Sequence, residues 1–302
     1  MKENSLILGL DIGGTHLRIG MVNESKTVAG FEIHSSIKLL IENPIQNLTT
    51  FIKEYVSRHG CEKNIFGVTI GFPSTIDKNR KKVLSTPNIK GLNQLNVVQE
   101  LEENLGYDVF IERDVNLLLQ YDTFMHRVDP NGTILGFYFG TGLGNAIQIG
   151  GKIYNGKNGT AGELGHIPVM NDKSICGCGN MGCMENYASG KYLQHLKSSI
   201  FKNTRIEDIF VNHSGHSNIK QYIDYLSLPI ATEINILDPD FVILGGGVLQ
   251  MEGFPFKLLE ENIFKHARKP YPAGNLKIAY SVNHQENGVI GAGIHGFKCK
   301  MK

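Results

Sequence analysis

Apolar stretches that end in glycine-rich turns are the most regular feature of this sequence. Residues 6–22 form two short apolar stretches around the turn 11–15, and residues 133–149 repeat that arrangement around the turn 140–144. Apolar stretches separated by short Gly-containing turns predict β-hairpins. Because two halves of the chain begin in the same way, the pattern predicts an α/β protein with two lobes that face a cleft.

Strand and helix patterns alternate through the rest of the chain. Strands are predicted at 65–70, 109–111 and 241–244, and helices at 47–58, 114–124, 219–237 and 288–297. We expect a small α/β lobe over residues 1–113, and the C-terminal helix, residues 288–302, to return to it because its apolar face needs a partner there. Residues 114–287 are expected to form the large α/β lobe.

Composition and charge restrict the function classes. Hydrophobic residues make up 41% and charged residues 20% of the 302 residues, which is typical of a soluble globular protein. The formal net charge of +1 gives no electrostatic reason to bind nucleic acid or an anionic membrane. Neither a signal peptide nor an apolar stretch of membrane-spanning length is evident, so we expect a cytoplasmic protein.

Three glycine turns are candidate phosphate-binding loops. Glycine lets the backbone approach a phosphate, presents N–H donors and tolerates positive φ, but a single such turn is equally well explained as a hairpin tip. The candidate residues are Asp11, Gly13, Gly14, Thr15, Gly140, Thr141, Gly142, Gly144, Gly245, Gly246 and Gly247. No GxxxxGK[ST] loop occurs, and the turn 140–144 leads into a strand rather than a helix. P-loop and dinucleotide-binding enzymes are therefore disfavoured.

Asp11 stands in front of the first glycine turn. A carboxylate there would repel a triphosphate unless a cation lay between them, so this position suggests Mg²⁺. The alternative is an aspartate that accepts hydrogen bonds from nearby turn amides.

Cysteine spacing indicates a metal site. Three of the five cysteines fall within eight residues, and with one histidine they form a Cys₃His set: His166, Cys176, Cys178 and Cys183. Four such ligands suit a tetrahedral Zn²⁺ and leave no open coordination position, so we expect a structural ion. Glu163 and Glu185 flank the set, and the ion would position both carboxylates.

Asp114 is a candidate general base, because it follows a predicted strand and opens a helix, where function often lies in α/β sheets. A kinase that acts on an alcohol needs such an acceptor. Helix N-capping is the alternative explanation. Asn88 and Asn116 offer amides suited to sugar hydroxyls, although Asn88 alone is better explained as a structural loop residue.

These motifs, in this order, resemble the ROK family (repressors, open reading frames, kinases). The motifs that carry the resemblance lie at residues 11–18, 140–144, 161–166, 176–185 and 243–247. The resemblance implies a two-lobed actin-like, ribonuclease H-like ATPase fold, a homodimer, and phosphorylation of a hexose with ATP and Mg²⁺.

The resemblance also implies roles for individual residues. Asp114 corresponds to the catalytic base, and Glu163, His166 and Glu185 correspond to sugar ligands, with Asn88 near them. The three glycine turns correspond to the nucleotide site.

Two departures from the family pattern bear on the substrate. Many ROK kinases have Asn before the catalytic Asp, where this chain has Arg113, and residues 144–146 read Gly-Asn-Ala instead of a run of glycines. Together with these departures, residues 85–88, 113–116 and 238–247 are most similar to the bacterial D-allose kinases. The resemblance therefore predicts phosphorylation of D-allose. For an aldohexose we expect the primary 6-hydroxyl to be the acceptor, because it is the least hindered.

Other functions remain open within the family. N-acetylmannosamine, glucose, fructose or a β-glucoside could replace allose, because a single epimeric hydroxyl is distinguished by pocket geometry that sequence does not give. Repressors of the family carry a winged-helix segment ahead of the first glycine turn. Asp11 comes too early for such a segment, so we expect a kinase rather than a sugar-responsive regulator.

Overall fold

A computed structural model describes residues 5–86, 89, 91–282 and 284–301. The strands are β1 Leu6–Ile12, β2 His16–Val22, β3 Val28–Ser35, β4 Ile65–Phe72, β5 Thr75–Ile76, β6 Val83–Ser85, β7 Val109–Arg113, β8 Thr133–Phe139, β9 Leu143–Ile149, β10 Lys152–Ile153, β11 Phe241–Gly245 and β12 Ile278–Tyr280. The helices are α1 Ser36–Leu39, α2 Pro44–His59, α3 Val97–Leu105, α4 Asp114–Met125, α5 Gly190–Ser199, α6 Ile209–His213, α7 Ser217–Leu237, α8 Phe256–His266 and α9 Asn287–Lys300. The α/β class predicted from the sequence is confirmed.

The chain divides into two compact units, and the first contains a five-stranded sheet in the order β3-β2-β1-β4-β7. β1 pairs antiparallel with β2 and parallel with β4, which is parallel to β7. The C-terminal helix α9 packs against β1, β2 and β4. Its small residues allow this close approach, because a Cβ at Gly293 or Gly296 would lie 2.3 Å from Val22 or 2.4 Å from Thr69.

The second unit contains a five-stranded sheet in the order β10-β9-β8-β11-β12. β8 pairs antiparallel with β9 and parallel with β11. Its core includes the fully buried Phe137, Phe139 and Tyr222, together with apolar residues of α7 and α8. The two mixed sheets therefore repeat one plan, in which a glycine-tipped hairpin is followed by parallel strands.

The division of the chain differs from the expected boundary near residue 114. The first unit comprises Met1–Arg127, Asn155–Ala161 and Asn283–Lys302, and the second comprises Val128–Tyr154 and Gly162–Val282. Helix α4 lies with the first unit because it packs closely on α9: a Cβ at Gly291 would lie 2.2 Å from the Leu117 carbonyl oxygen. An apolar periodicity identifies a helix but not the partner that its buried face meets.

Residues 155–161 also belong to the first unit, although both neighbouring segments belong to the second. Arg80 holds this segment: its Nη1 donates to the Gly159 carbonyl oxygen at 3.1 Å, and its Nη2 donates to Asn155 Oδ1. Arg80 is itself fixed by Glu112, with Nη2–Oε1 and Nε–Oε2 distances of 3.0 and 3.1 Å. A two-pronged buried ion pair of this kind fixes orientation as well as charge.

Within the described ranges, no helix combines the length and the apolar character needed to cross a membrane.

Candidate active site

The carboxyl ends of β1, β4 and β7 bring two acidic residues to one edge of the first sheet. Asp11 is in register with Gly71 on β4, and Gly71 is in register with Glu112 on β7. Asp114 follows immediately as the first residue of α4. Neighbouring strands lie about 4.8 Å apart, so Asp11 and Asp114 are separated by about two strand spacings. Gly71 allows close packing between them, because a Cβ there would lie 2.8 Å from Leu117 Cδ1 and 3.5 Å from Asp114 Cα.

Asp114 has the electrostatic character of a general base. Burial raises its pKa to about 7 because it disfavours the carboxylate, and the negative charge of Asp11 adds to the effect. The N–H of Val115, which donates to Asp114 Oδ1 at 2.8 Å, and the Arg113 guanidinium act in the opposite direction. The N-cap of α4 is Arg113, so N-capping by Asp114 does not describe this helix. A carboxyl group that titrates near neutral pH is suited to accept a proton in a reaction.

The side chain of Asp11, on β1, packs against the beginning of α9. A Cβ at Gly288 would lie 2.4 Å from Asp11 Cγ, so glycine is needed there for the carboxyl group to fit against the helix. Burial raises the pKa of Asp11, and Arg18, whose Nη1 is 3.5 Å from Asp11 Oδ2, opposes this. The nearby turn amide of Gly13 donates to the His16 carbonyl oxygen at 2.8 Å.

Asp11 offers carboxylate oxygens, the ligand type that a hard divalent cation prefers. Asp11 and Asp114 both have raised pKa values, and the charge of Asp11 contributes to the shift of Asp114. A hard cation with oxygen ligands would relieve that repulsion and favour both carboxylates. Asp11 is therefore suited to hold Mg²⁺ directly or through water.

The glycines of the three loops act mainly by leaving space. Of the loop glycines, which all lie in the described part of the chain, Gly246 has a positive φ, of 96°. Tolerance of positive φ is therefore used at Gly246 and not at the other loop glycines. A Cβ at Gly142 would lie 2.2 Å from Glu185 Oε2, whereas at Gly140 and Gly247 it would meet nothing within 4 Å. The open sides of Gly140 and Gly247 are what a ligand needs to approach the backbone.

Two of the three glycine loops lie side by side in the second unit. Gly245 on β11 is in register with Tyr138 on β8, so the loops 140–144 and 245–247 leave adjacent strands at the same edge. A Cβ at Gly246 would lie 2.4 Å from the Phe139 nitrogen. The N–H groups of Gly190 and Lys191, at the start of α5, donate to the carbonyl oxygens of residues 140 and 141 at 2.9 and 3.1 Å. The first loop, residues 11–15, lies in the first unit.

The predicted metal ligands come together in the second unit. One ligand atom from each of His166, Cys176, Cys178 and Cys183 lies within 4.8 Å of the others. The Cys178–Cys183 sulfur separation is 3.6 Å, and Cys176 Sγ is 3.7 Å from His166 Nδ1. Bonds of about 2.3 Å to a tetrahedral Zn²⁺ would place sulfurs about 3.8 Å apart. The donor set and its spacing therefore fit zinc.

The backbone around the cysteines explains how three sulfurs converge. Gly179 and Gly182 have φ values of 95° and 71°, which side chains rarely adopt. The N–H of Cys176 donates to the Asn180 carbonyl oxygen at 2.8 Å and closes the turn. Residues 176–183 thus wrap around the position that an ion would occupy.

Glu163, His166 and Glu185 form a polar group beside the second glycine loop. His166 directs Nδ1 to the cysteines and Nε2 to Glu163, whose Oε2 is 3.6 Å away. Glu185 Oε2 accepts a hydrogen bond from the Leu143 N–H at 2.9 Å. A Cβ at Gly165 would lie 3.3 Å from the Glu185 Cβ, so the segments are tightly packed. The structure places these residues in the second unit and Asp114 in the first.

The predicted asparagines have different outcomes. Asn88 lies outside the described residues. Asn116 is buried, and its Nδ2 donates to Glu112 Oε1 at 2.9 Å, so at least one of its amide hydrogens is bonded within the protein. Arg113, which replaces the family's usual Asn, is buried and donates from Nη1 to the Ala161 carbonyl oxygen at 2.6 Å.

Two buried hydroxyl groups were missed by the sequence analysis. Ser74 and Thr86 flank the paired residues Thr75 and Ser85 of the β5–β6 hairpin, just after β4 ends. Their hydroxyl groups are buried and have no hydrogen-bond partner among the described residues. An unpaired buried hydroxyl costs about 1–3 kcal/mol, so each is a candidate to bind a ligand hydroxyl. In sequence they look like ordinary turn residues.

Comparison with known proteins identifies the family. The ROK family model matches residues 7–295, nearly the whole chain. The chain belongs to the ROK family. This ROK protein is 27% identical over 310 residues to an N-acetyl-D-glucosamine kinase of Vibrio cholerae, covering 96% of this chain and 99% of that protein.

Two solved structures share its fold. A ROK family glucokinase from Streptomyces griseus, in complex with glucose and AMPPNP, has a TM-score of 0.80 at 23% identity and covers 97% of this chain and 100% of that chain. A ROK family transcriptional regulator has a TM-score of 0.84 at 21% identity and covers 98% of this chain and 78% of that chain. The two-lobed actin-like, ribonuclease H-like fold predicted from the sequence is confirmed.

Proposed function

We propose that this ROK protein is an ATP-dependent hexose kinase that converts D-allose to D-allose 6-phosphate. The observation that carries the kinase assignment is the carboxyl group of Asp114, which lies at the carboxyl end of β7 with a pKa raised to about 7. Family membership supports a sugar substrate. Arg113 in place of the family's usual Asn supports a substrate other than glucose.

In the proposed reaction the sugar hydroxyl oxygen attacks the γ-phosphorus of ATP. The new P–O bond forms as the bond to the β-phosphate oxygen breaks, ADP leaves, and the hydroxyl proton passes to Asp114. Mg²⁺ held near Asp11 would neutralise phosphate charge. The loops 11–15, 140–144 and 245–247 would bind the nucleotide through backbone N–H groups.

The sugar would be held by side chains whose positions the metal loop fixes. Glu163, His166 and Glu185 offer acceptors and a donor for hydroxyl groups, with Asn88 as a further amide. Zn²⁺ on His166, Cys176, Cys178 and Cys183 would order the loop without reacting, because all four positions are taken by protein ligands.

N-acetyl-D-glucosamine is a second candidate substrate, and one specific observation favours it. The Vibrio cholerae relative aligned over 96% of this chain is an N-acetyl-D-glucosamine kinase. N-acetylmannosamine, glucose, fructose and β-glucosides are further candidates, and a sugar-responsive regulator is the non-enzymatic alternative.

A panel of hexoses assayed with ATP and Mg²⁺ tests the proposal. We expect D-allose to give the highest kcat/KM and a product phosphorylated at the 6-position, identified by NMR. Turnover of N-acetylated sugars alone would show that the allose assignment is wrong. Absence of turnover with every sugar, together with sugar-dependent binding to a DNA fragment, would favour the regulator.

We also propose that the protein is a cytoplasmic homodimer. Analytical ultracentrifugation with and without sugar tests the assembly, and a monomer at micromolar concentration would contradict it.

A further inference from the structure

A buried amide and carboxyl pair lies directly behind the second glycine loop. Asn145, the residue after Gly144, is fully buried on β9. Its Nδ2 donates to Glu233 Oε2 at 2.7 Å and to the Gly136 carbonyl oxygen at 3.1 Å. Glu233 lies on α7 and is 5% exposed. One side chain thus joins the end of the loop to β8 and to α7.

The backbone of Asn145 supports a second segment. A Cβ at Gly162 would lie 2.6 Å from the Asn145 carbonyl oxygen, and Gly162 has a φ of 87°. Gly162 immediately precedes Glu163. Asn145 therefore borders both the glycine loop 140–144 and the segment that carries Glu163.

A polar pair at this position needs an explanation beyond stability. Burial of a carboxyl group is costly, and two packed apolar side chains would generally be at least as stable. Burial raises the pKa of Glu233 to about 7, although the hydrogen bond from Asn145 opposes this. What the pair adds is direction, because the two acceptors of Asn145 Nδ2 fix one orientation of the amide, whereas an apolar contact allows several. The buried Asn145 Oδ1 has no hydrogen-bond partner among the described residues.

We propose that Glu233 is a positioning residue for nucleotide binding, acting through Asn145 to fix the end of the loop 140–144. The inference rests on the proposed kinase function and on the assignment of that loop to the nucleotide. It predicts that loss of the Glu233 side chain loosens the loop and weakens ATP binding more than sugar binding.

Three variants separate positioning from general destabilisation. Glu233→Ala removes the carboxyl group that accepts from Asn145 Nδ2, whereas Glu233→Gln keeps an acceptor of nearly the same shape. Ser227→Ala is the matched control, since Ser227 is also buried on α7 and its Oγ donates to the Asp224 carbonyl oxygen rather than to the loop.

Steady-state kinetics provide the first measurement. We expect Glu233→Ala to raise the KM for ATP about tenfold, as the loss of a buried hydrogen bond implies. The KM for sugar should rise by a smaller factor, because Leu143 in the same loop donates to Glu185. Glu233→Gln should restore the KM for ATP, and Ser227→Ala should leave both values unchanged. If Glu233→Ala does not fold, Asn145→Ser shortens the same link and must show the same separation of the two KM values.

Hydrogen exchange provides a measurement that does not depend on catalysis. Backbone amides of residues 141–146 should exchange faster in Glu233→Ala than in the native protein, Glu233→Gln or Ser227→Ala. If the native protein phosphorylates no sugar, the proposed function fails while this exchange measurement still tests the positioning role. Equal loop exchange in Glu233→Ala and Ser227→Ala, with equal KM values for ATP, would overturn the inference.

Discussion

Replacement of Asp114 by Asn should lower kcat by orders of magnitude while stabilising the protein at neutral and alkaline pH. The amide keeps the size of the side chain but neither accepts the hydroxyl proton nor ionises. Removal of a positioned general base costs about 10²–10⁴ in rate, so kcat should fall by that factor while sugar still binds.

The gain in stability follows from the shifted pKa. The pKa of Asp114 is raised from 3.8 to about 7 in the fold, so its contribution to the free energy of unfolding is fully present below pH 3.8 and is lost as pH rises through 7. At about 1.36 kcal/mol per pKa unit, the native protein is destabilised at pH 8 by at most about 4 kcal/mol relative to a neutral side chain. Part of the shift comes from Asp11, and a bound cation would remove that part.

Thermal unfolding of the apo protein at several pH values measures the effect. The advantage of Asp114→Asn should grow by about 3 kcal/mol between pH 5 and pH 8, which corresponds to a rise of several degrees in Tm. Asp108→Asn is the control, because Asp108 is an exposed carboxylate just before β7 that pairs with Lys300, so its replacement should stabilise the protein at no pH. Near-native turnover in Asp114→Asn, or an advantage independent of pH, would refute the assigned role.

Three other perturbations test separate parts of the site. Cys178→Ala should release zinc, measured by metal analysis of the purified protein, and raise the sugar KM, whereas Cys61→Ala should retain the ion; a metal-free variant with native kinetics would show that the ion is incidental. Gly142→Ala should displace Glu185, because its Cβ would lie 2.2 Å from Glu185 Oε2. Calorimetry should then show sugar binding weakened at least tenfold. Ser74→Ala should stabilise the apo protein slightly yet raise the sugar KM, and an unchanged KM would exclude its hydroxyl from the sugar site.

Local signals in the sequence predicted much of the candidate site. Cysteine spacing was sufficient to bring together the four metal ligands, because three of them lie in one short loop that can wrap around an ion. The glycine turns also marked the strand ends, because the tendency to form a turn depends on the turn residues themselves and not on distant partners. Asp114 was placed correctly because a polar residue after an apolar strand marks the carboxyl end of that strand.

Features that depend on distant partners could not be predicted. Asn116 looks like a ligand residue in sequence, but Glu112, four residues earlier and buried by the sheet, takes its amide. The pairing of Asn145 with Glu233 spans 88 residues and leaves no local pattern. The assignment of α4 to the first unit depends on α9, which follows α4 in sequence only after the second unit.

The position of α9 has a consequence for synthesis. The strands of the first sheet leave the ribosome before the second unit, but α9, the helix that covers β1, β2 and β4, leaves it after that unit. The apolar face of that sheet therefore stays uncovered while nearly all of the second unit is translated, and the order of completion is the reverse of the order in which the units begin. A stop codon ahead of α9 would leave the apolar face of that sheet exposed, and we expect chaperones to bind such truncated chains.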